Sequence, residues 1–218
     1  MQQAKLTVSK TARYFTLGAL SAETKHIWVV LHGYAQLANY FLKRFEHLSG
    51  PQTCVIAPEG LHRFYQHGYD GRVVASWMTK EDRLDDINDY IRFLDQLIDE
   101  AVLPNAPGAN INVIGFSQGG ATASRWVSQS KHNINSLVLW ASVFPPDLNF
   151  QASATRMSNM QVAVVVGDND EFIKEEALQA HCTEMRAKGI PFKLIRYPGN
   201  HAIEPSLFPD ISALAANR

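Results

Sequence analysis

The chain has 218 residues, 46% of them hydrophobic, enough to bury one sizeable core and in the range of a single α/β domain. Its 20 Lys and Arg balance 21 Asp and Glu, the formal charge is −1, and no run of like charges stands out, so neither nucleic acid nor an anionic membrane surface is an expected partner. No stretch approaches the ~18 apolar residues of a membrane span and the first residues carry no apolar run of signal-peptide length, so a cytoplasmic protein is the expectation, with Cys54 and Cys182 read as buried small apolar residues.

In chain order, "ARYFTLG" (12–18) alternates apolar and polar residues and predicts an antiparallel edge strand. "HIWVVLH" (26–32) follows, continuously apolar, as a strand buried on both faces should be. A helix is expected over 38–48 and a second buried strand at "TCVIAP" (53–58). Residues 59–83, "EGLHRFYQHGYDGRVVASWMTKEDR", fit no regular pattern. They hold two glycine-containing turns and several aromatics, and the segment reads as irregular and too long for a mere connector. From 84 to 102, Leu84, Ile87, Ile91, Leu94, Ile98 and Val102 step by three or four, the period of a helix with one apolar face, and Pro104 and Pro107 end it.

The second half alternates more evenly. Strands are predicted at "INVIGF" (111–116), "NSLVLWAS" (135–142), "QVAVVVG" (161–167) and "FKLIRYP" (192–198), with helices at about 118–130 and 173–188 and a short one opened by Pro209. Strands alternating with helices imply a mostly parallel sheet with helices on both faces, a three-layer α/β/α arrangement, and nothing in the chain marks a boundary within residues 1–218.

The chemistry is concentrated at strand exits. "GFSQG" (115–119) has the spacing of a nucleophile elbow, in which Ser117 occupies a strained strand-to-helix turn and glycines on either side keep the backbone free of clashes. A serine hydroxyl needs a base to take its proton, so an acid and a histidine are expected after later strands. "VVVGDNDEFI" offers Asp168 and Asp170, and "IRYPGNHA" offers His201. Two N–H donors should face the developing oxyanion: that of Gln118, following the nucleophile, and that of Tyr34, in the loop "LHGYAQ" after the first buried strand. His32 in that loop reads as a structural hydrogen-bonding residue.

"LHGYAQ", "GFSQGG", "GDNDEFI" and "PGNHA" together resemble the small carboxylesterases of the α/β-hydrolase fold, the group of acyl-protein thioesterases and phospholipase/carboxylesterase-type enzymes, over about residues 26 to 205. The resemblance implies Ser117 as nucleophile and His201 as base. It also implies Asp170 rather than Asp168 as the acid, because "DEFI" carries the family's D-x-x-[VI] pattern. The chain departs from that pattern at Tyr34, where a small residue or Leu is usual, and at Lys174, where Pro is usual.

The function expected is hydrolysis of a small-molecule carboxylic ester or thioester through an acyl-enzyme, with no cofactor and no metal. Arg63, Phe64, Tyr65, Trp77 and Met78 are candidates to wall the substrate pocket, with packing at the sheet edge as the other reading for Trp77 and Met78. Arg63 should either pair with an acid such as Glu59 or face a ligand. The alternatives are a peptidase or acyltransferase using the same triad, a non-catalytic binding protein on a hydrolase scaffold, or a polypeptide-interaction module built on 59–83.

Overall fold

The computed structural model of the protein describes residues 1–216. A seven-stranded sheet forms its middle layer, made of β1 (Tyr14–Leu17), β2 (His26–Leu31), β3 (Thr53–Pro58), β6 (Asn110–Phe116), β7 (Ser136–Trp140), β8 (Gln161–Gly167) and β9 (Lys193–Tyr197), while β4 (His62–His67) and β5 (Asp70–Ser76) pair separately. The strand order is β1-β3-β2-β6-β7-β8-β9. Every neighbouring pair is parallel except β1 against β3, the antiparallel edge that the alternation at 12–18 predicts.

Continuous apolar strands divide their side chains between two cores. In β2, Ile27, Val29 and Leu31 face one side, and Trp28 and Val30 the other. The first core is closed by α2 (Arg83–Leu97), α3 (Gln118–Gln129) and α5 (Glu175–Ala187), through residues such as Leu94, Trp126 and Met185. The second is closed by α1 (Ala38–Leu42), the 3₁₀ segment Lys43–Leu48 and the terminal helix Phe208–Ala216, through Phe41, Phe45 and Phe208. This is the three-layer arrangement of the α/β-hydrolase fold. The predicted helix over 38–48 is in fact an α-turn continued as 3₁₀, with Phe45 at non-helical angles, and that over 84–102 finishes in a π-helical turn, Ile98–Val102. A helix, α4 (Phe150–Ser158), has no counterpart in the sequence expectations, because "FQASATRMS" carries little apolar periodicity.

Residues 59–83 are the main correction. The expected irregular segment contains a β-hairpin, β4 with β5, turned over a two-residue loop whose Gly68 has φ +63°. His62 and His67 therefore sit on a strand. The pattern is hard to read because β4 is mostly exposed, and only the far end of β5, Val74 to Ser76, enters the core. Cys54 and Cys182 are buried free thiols, as expected.

Candidate active site

Ser117 sits where β6 passes into α3, with φ 53° and ψ −119°, a conformation rare for a residue with a side chain. The chain enforces it. Ser117 N–H is tied to the Trp140 carbonyl of β7 at 3.0 Å, and the helix begins at the next residue. The glycines are obligatory for close approach: a Cβ on Gly115 would lie 2.4 Å from the Gly119 carbonyl oxygen, and one on Gly119 would lie 2.1 Å from that of Leu31. Both contacts are well inside van der Waals distance, so the elbow reading of "GFSQG" has a direct steric basis.

The loops after β8 and β9 are laced together. Asp168 N–H donates to the Tyr197 carbonyl and Asn169 N–H to that of Gly199, both at 2.9 Å. A Cβ on Gly167 would lie 2.3 Å from the Gly199 carbonyl oxygen, so the two loops touch through backbone. This seam brings His201 onto Asp170: Nδ1 lies 3.0 and 2.9 Å from the two carboxylate oxygens, and the carboxylate is wholly buried. Asp170 Oδ1 also accepts from the N–H groups of Phe172, at 2.9 Å, and Ile173, at 3.1 Å, which fixes its rotamer. With Nδ1–H engaged, the basic nitrogen of a neutral His201 is Nε2. Asp168, the other carboxylate of the stretch, pairs instead with Arg196 at 2.8 Å.

Two rings hold the imidazole. Phe172 lies 4.6 Å from it and Phe116 5.0 Å, centroid to centroid. Phe116 is the residue before Ser117, so this contact seats His201 beside the elbow. Gly33 also lies close, where a Cβ would come within 3.3 Å of Ser117 Cβ. The loop from β2 thus passes directly over the serine.

His32 shapes that loop. It is buried, its Nδ1–H donates to the Gly33 carbonyl at 2.7 Å, and its Nε2 accepts from Gly60 N–H at 2.9 Å. Burial pushes its pKa down to about 4, in keeping with a ring that must stay neutral to both donate and accept. Because carbonyl and N–H point oppositely across a trans peptide, holding the Gly33 carbonyl also holds the Tyr34 N–H. Neither that N–H nor that of Gln118 has a backbone or side-chain acceptor among the described residues, so both donors are free.

The hairpin braces both donors. Ala35 N–H donates to the Ala75 carbonyl and Ala75 N–H to that of Gln36, each at 3.0 Å. The Gln118 side chain accepts from Trp77 N–H at 3.1 Å and donates to the Met78 carbonyl and Ser76 Oγ, both at 3.0 Å. This role of the glutamine side chain, as distinct from its N–H, is absent from the sequence reading.

The pocket candidates separate. Phe64 touches the Tyr34 ring at 5.7 Å, and Tyr65 is exposed on the same hairpin. Trp77 is fully buried in the core against His32 and Tyr90, with Nε1 on the His32 carbonyl at 2.9 Å. Met78 is half-buried against the same core. Arg63 does not pair with Glu59, whose carboxylate is taken by Arg13 at 2.6 and 3.1 Å. A cavity of about 70 Å³ opens against His201 and is lined also by Gln36, Phe41, Arg44, Phe116 and Ile203. A larger one, about 670 Å³, lies between residues 7–12 and α2 and includes none of the candidate residues. Among the described residues no group of three or more His, Cys, Asp or Glu is placed to hold a metal ion, and no helix is long and apolar enough to cross a membrane.

A sequence model of the serine hydrolase (FSH1) family matches residues 22–209, a span holding Ser117, Asp170 and His201. The chain belongs to the FSH1 serine hydrolase family. Solved structures similar to it include acyl-protein thioesterase 2 from Zea mays, with TM-score 0.74 and 18% identity over 95% of this chain and 99% of that one. Esterase PE8 gives 0.70 and 19% over 94% and 97%, and a carboxylesterase from Mesorhizobium loti 0.70 and 14% over 95% and 95%. At such identities the likeness is one of fold, and it is the fold that the resemblance in "GFSQGG" and "PGNHA" implied. No curated protein matches the chain.

Proposed function

We propose that this FSH1-family hydrolase cleaves carboxylic esters or thioesters of small molecules through an acyl-enzyme on Ser117. The observation that carries the reading is the buried Asp170–His201 pair, held by Phe116 beside the strained turn that presents Ser117. His201 Nε2 takes the hydroxyl proton as Ser117 Oγ attacks the carbonyl carbon, and Asp170 stabilises the imidazolium that forms. The carbonyl oxygen, now negative, is met by the N–H groups of Tyr34 and Gln118. His201 returns the proton to the departing alcohol or thiol, then activates a water that releases the acid and restores the serine. Each step uses groups of this chain and calls for no cofactor, and we read residues 1–218 as one such unit acting in the cytoplasm.

A fluorophosphonate probe tests the nucleophile, and p-nitrophenyl esters from acetate to palmitate test the reaction. Wild-type protein should be labelled and turn over esters. Ser117→Ala should lose labelling entirely, and His201→Ala should lose on the order of 10³-fold or more in kcat. Folded wild-type protein that takes up no probe would remove Ser117 as the nucleophile.

A further inference from the structure

The cavity against His201 is lined with hydrogen-bond donors and holds no acid. Arg44, exposed at its mouth, makes no ion pair or hydrogen bond among the described residues. Gln36 spends its Oε1 on Gly33 N–H at 3.0 Å, which leaves the Nε2 amide as a donor. The Ala202 carbonyl, which also borders the space, already accepts from Trp140 Nε1 at 3.0 Å and the Tyr197 hydroxyl at 2.6 Å. Phe41, Phe116 and Ile203 supply apolar walls, and about 70 Å³ admits a group of a few heavy atoms but no long chain. A guanidinium and an amide N–H over a small space whose lining holds no carboxylate fit a substrate carboxylate, which an arginine binds through two parallel, charge-assisted bonds.

The position of the cavity says which part of a substrate it meets. His201 forms one wall, and under the reading above His201 gives its proton to the leaving oxygen or sulfur, so the leaving group departs along that wall. The geometry points to Arg44 and Gln36 as a specificity site for esters or thioesters whose alcohol or thiol portion carries a carboxylate close to the scissile bond. This rests on Ser117 being the nucleophile and adds the substrate class.

The test compares two nearly isosteric acetate esters, acetoxyacetate and 2-acetoxyacetamide, which differ by a charge on the leaving group, with release of acetic acid followed by titration. Wild-type kcat/KM should favour the carboxylate on the order of 10- to 100-fold, and the preference should shrink as salt is raised. In Arg44→Gln the ratio should fall to near one; because both esters meet the same variant, a folding defect cannot produce that change. Protection of Ser117 from the fluorophosphonate by glycolate over glycolamide gives the same reading if turnover is slow. A ratio near one in wild type with no selective protection, a ratio unaltered in Arg44→Gln, or a preference for the charge only on the acyl side, as in monoethyl succinate, would each overturn the assignment. Loss of labelling altogether would instead remove the Ser117 mechanism beneath it.

Discussion

Two carboxylates leave β8 two residues apart, and their surroundings give them different work. Asp168 is exposed and meets Arg196, an ion pair of the kind that contributes little in water. Asp170 is buried, accepts two backbone N–H bonds and faces His201 Nδ1. Asp170→Asn would place an amide where the acceptor of Nδ1–H must be, favouring the wrong imidazole tautomer. It should lower kcat on the order of 10³- to 10⁴-fold with little change in folding, whereas Asp168→Asn should stay within about twofold of wild type. Esterase kinetics on the pair of variants decide between the two acids, and equal losses would mean that Asp170 does not orient the base. From the residues alone both aspartates qualify, since each follows a strand and each could cap a turn. The D-x-x-[VI] resemblance favours Asp170, and the physical reason lies in the seam of backbone bonds between the β8 and β9 loops, which no sequence window displays. The tight turn at Ser117 was legible for the opposite reason: its requirement for small neighbours is local and written as glycines.

At the scale of elements, the hairpin is the part that sequence patterns conceal. Its strands are too exposed to show an apolar stripe, and its role comes from contacts made far along the chain, Ala75 with the loop after β2 and Trp77 and Met78 with Gln118. Through them the base of the hairpin ties together the two segments whose N–H groups would meet the oxyanion. Its tip stays free, with Tyr65 and Tyr69 exposed. Gln118→Ala retains the backbone donor but leaves Trp77 N–H without its acceptor. We expect a stability loss of about 1–3 kcal/mol, from the unpaired buried group, and a fall in kcat of about tenfold as the two donors lose their common brace. Urea unfolding and p-nitrophenyl acetate turnover measure the two effects separately. Wild-type kcat in a destabilised Gln118→Ala protein would show that the hairpin supports the fold and not the site. The same long-range logic explains Glu59, whose partner proved to be Arg13 from the strand-edge segment rather than the nearby Arg63.

For the molecule as a whole, the sheet was readable because burial on both faces leaves continuous apolar runs, while the protonation of the histidines was not, since it depends on everything folded around each ring. Two of them are held neutral by burial, each with a pKa near 4: His32 beneath the loop after β2, and His181 in α5, 6% exposed with its ring on Phe144. In the unfolded chain both would titrate near 6.5. Between those values the unfolded chain binds two protons that the folded protein refuses, so acid favours unfolding. Their burial therefore costs nothing above about pH 6.5, and stability falls as the pH drops from there toward 4. At pH 5 each contributes a loss on the order of 2 kcal/mol. His32 carries a further consequence, because a protonated Nε2 could no longer accept from Gly60 N–H and the loop bearing Tyr34 would lose one of its anchors. Urea unfolding at pH 7 and pH 5 should show the drop, most of which falls above the range in which the carboxylates protonate. In His181→Leu, which removes one of the two rings and leaves the other, the drop should shrink by about half. A stability that is level between those two pH values in the wild-type protein would mean that the rings accept protons in place, and that the bond from Gly60 N–H to His32 is given up at no cost to the fold.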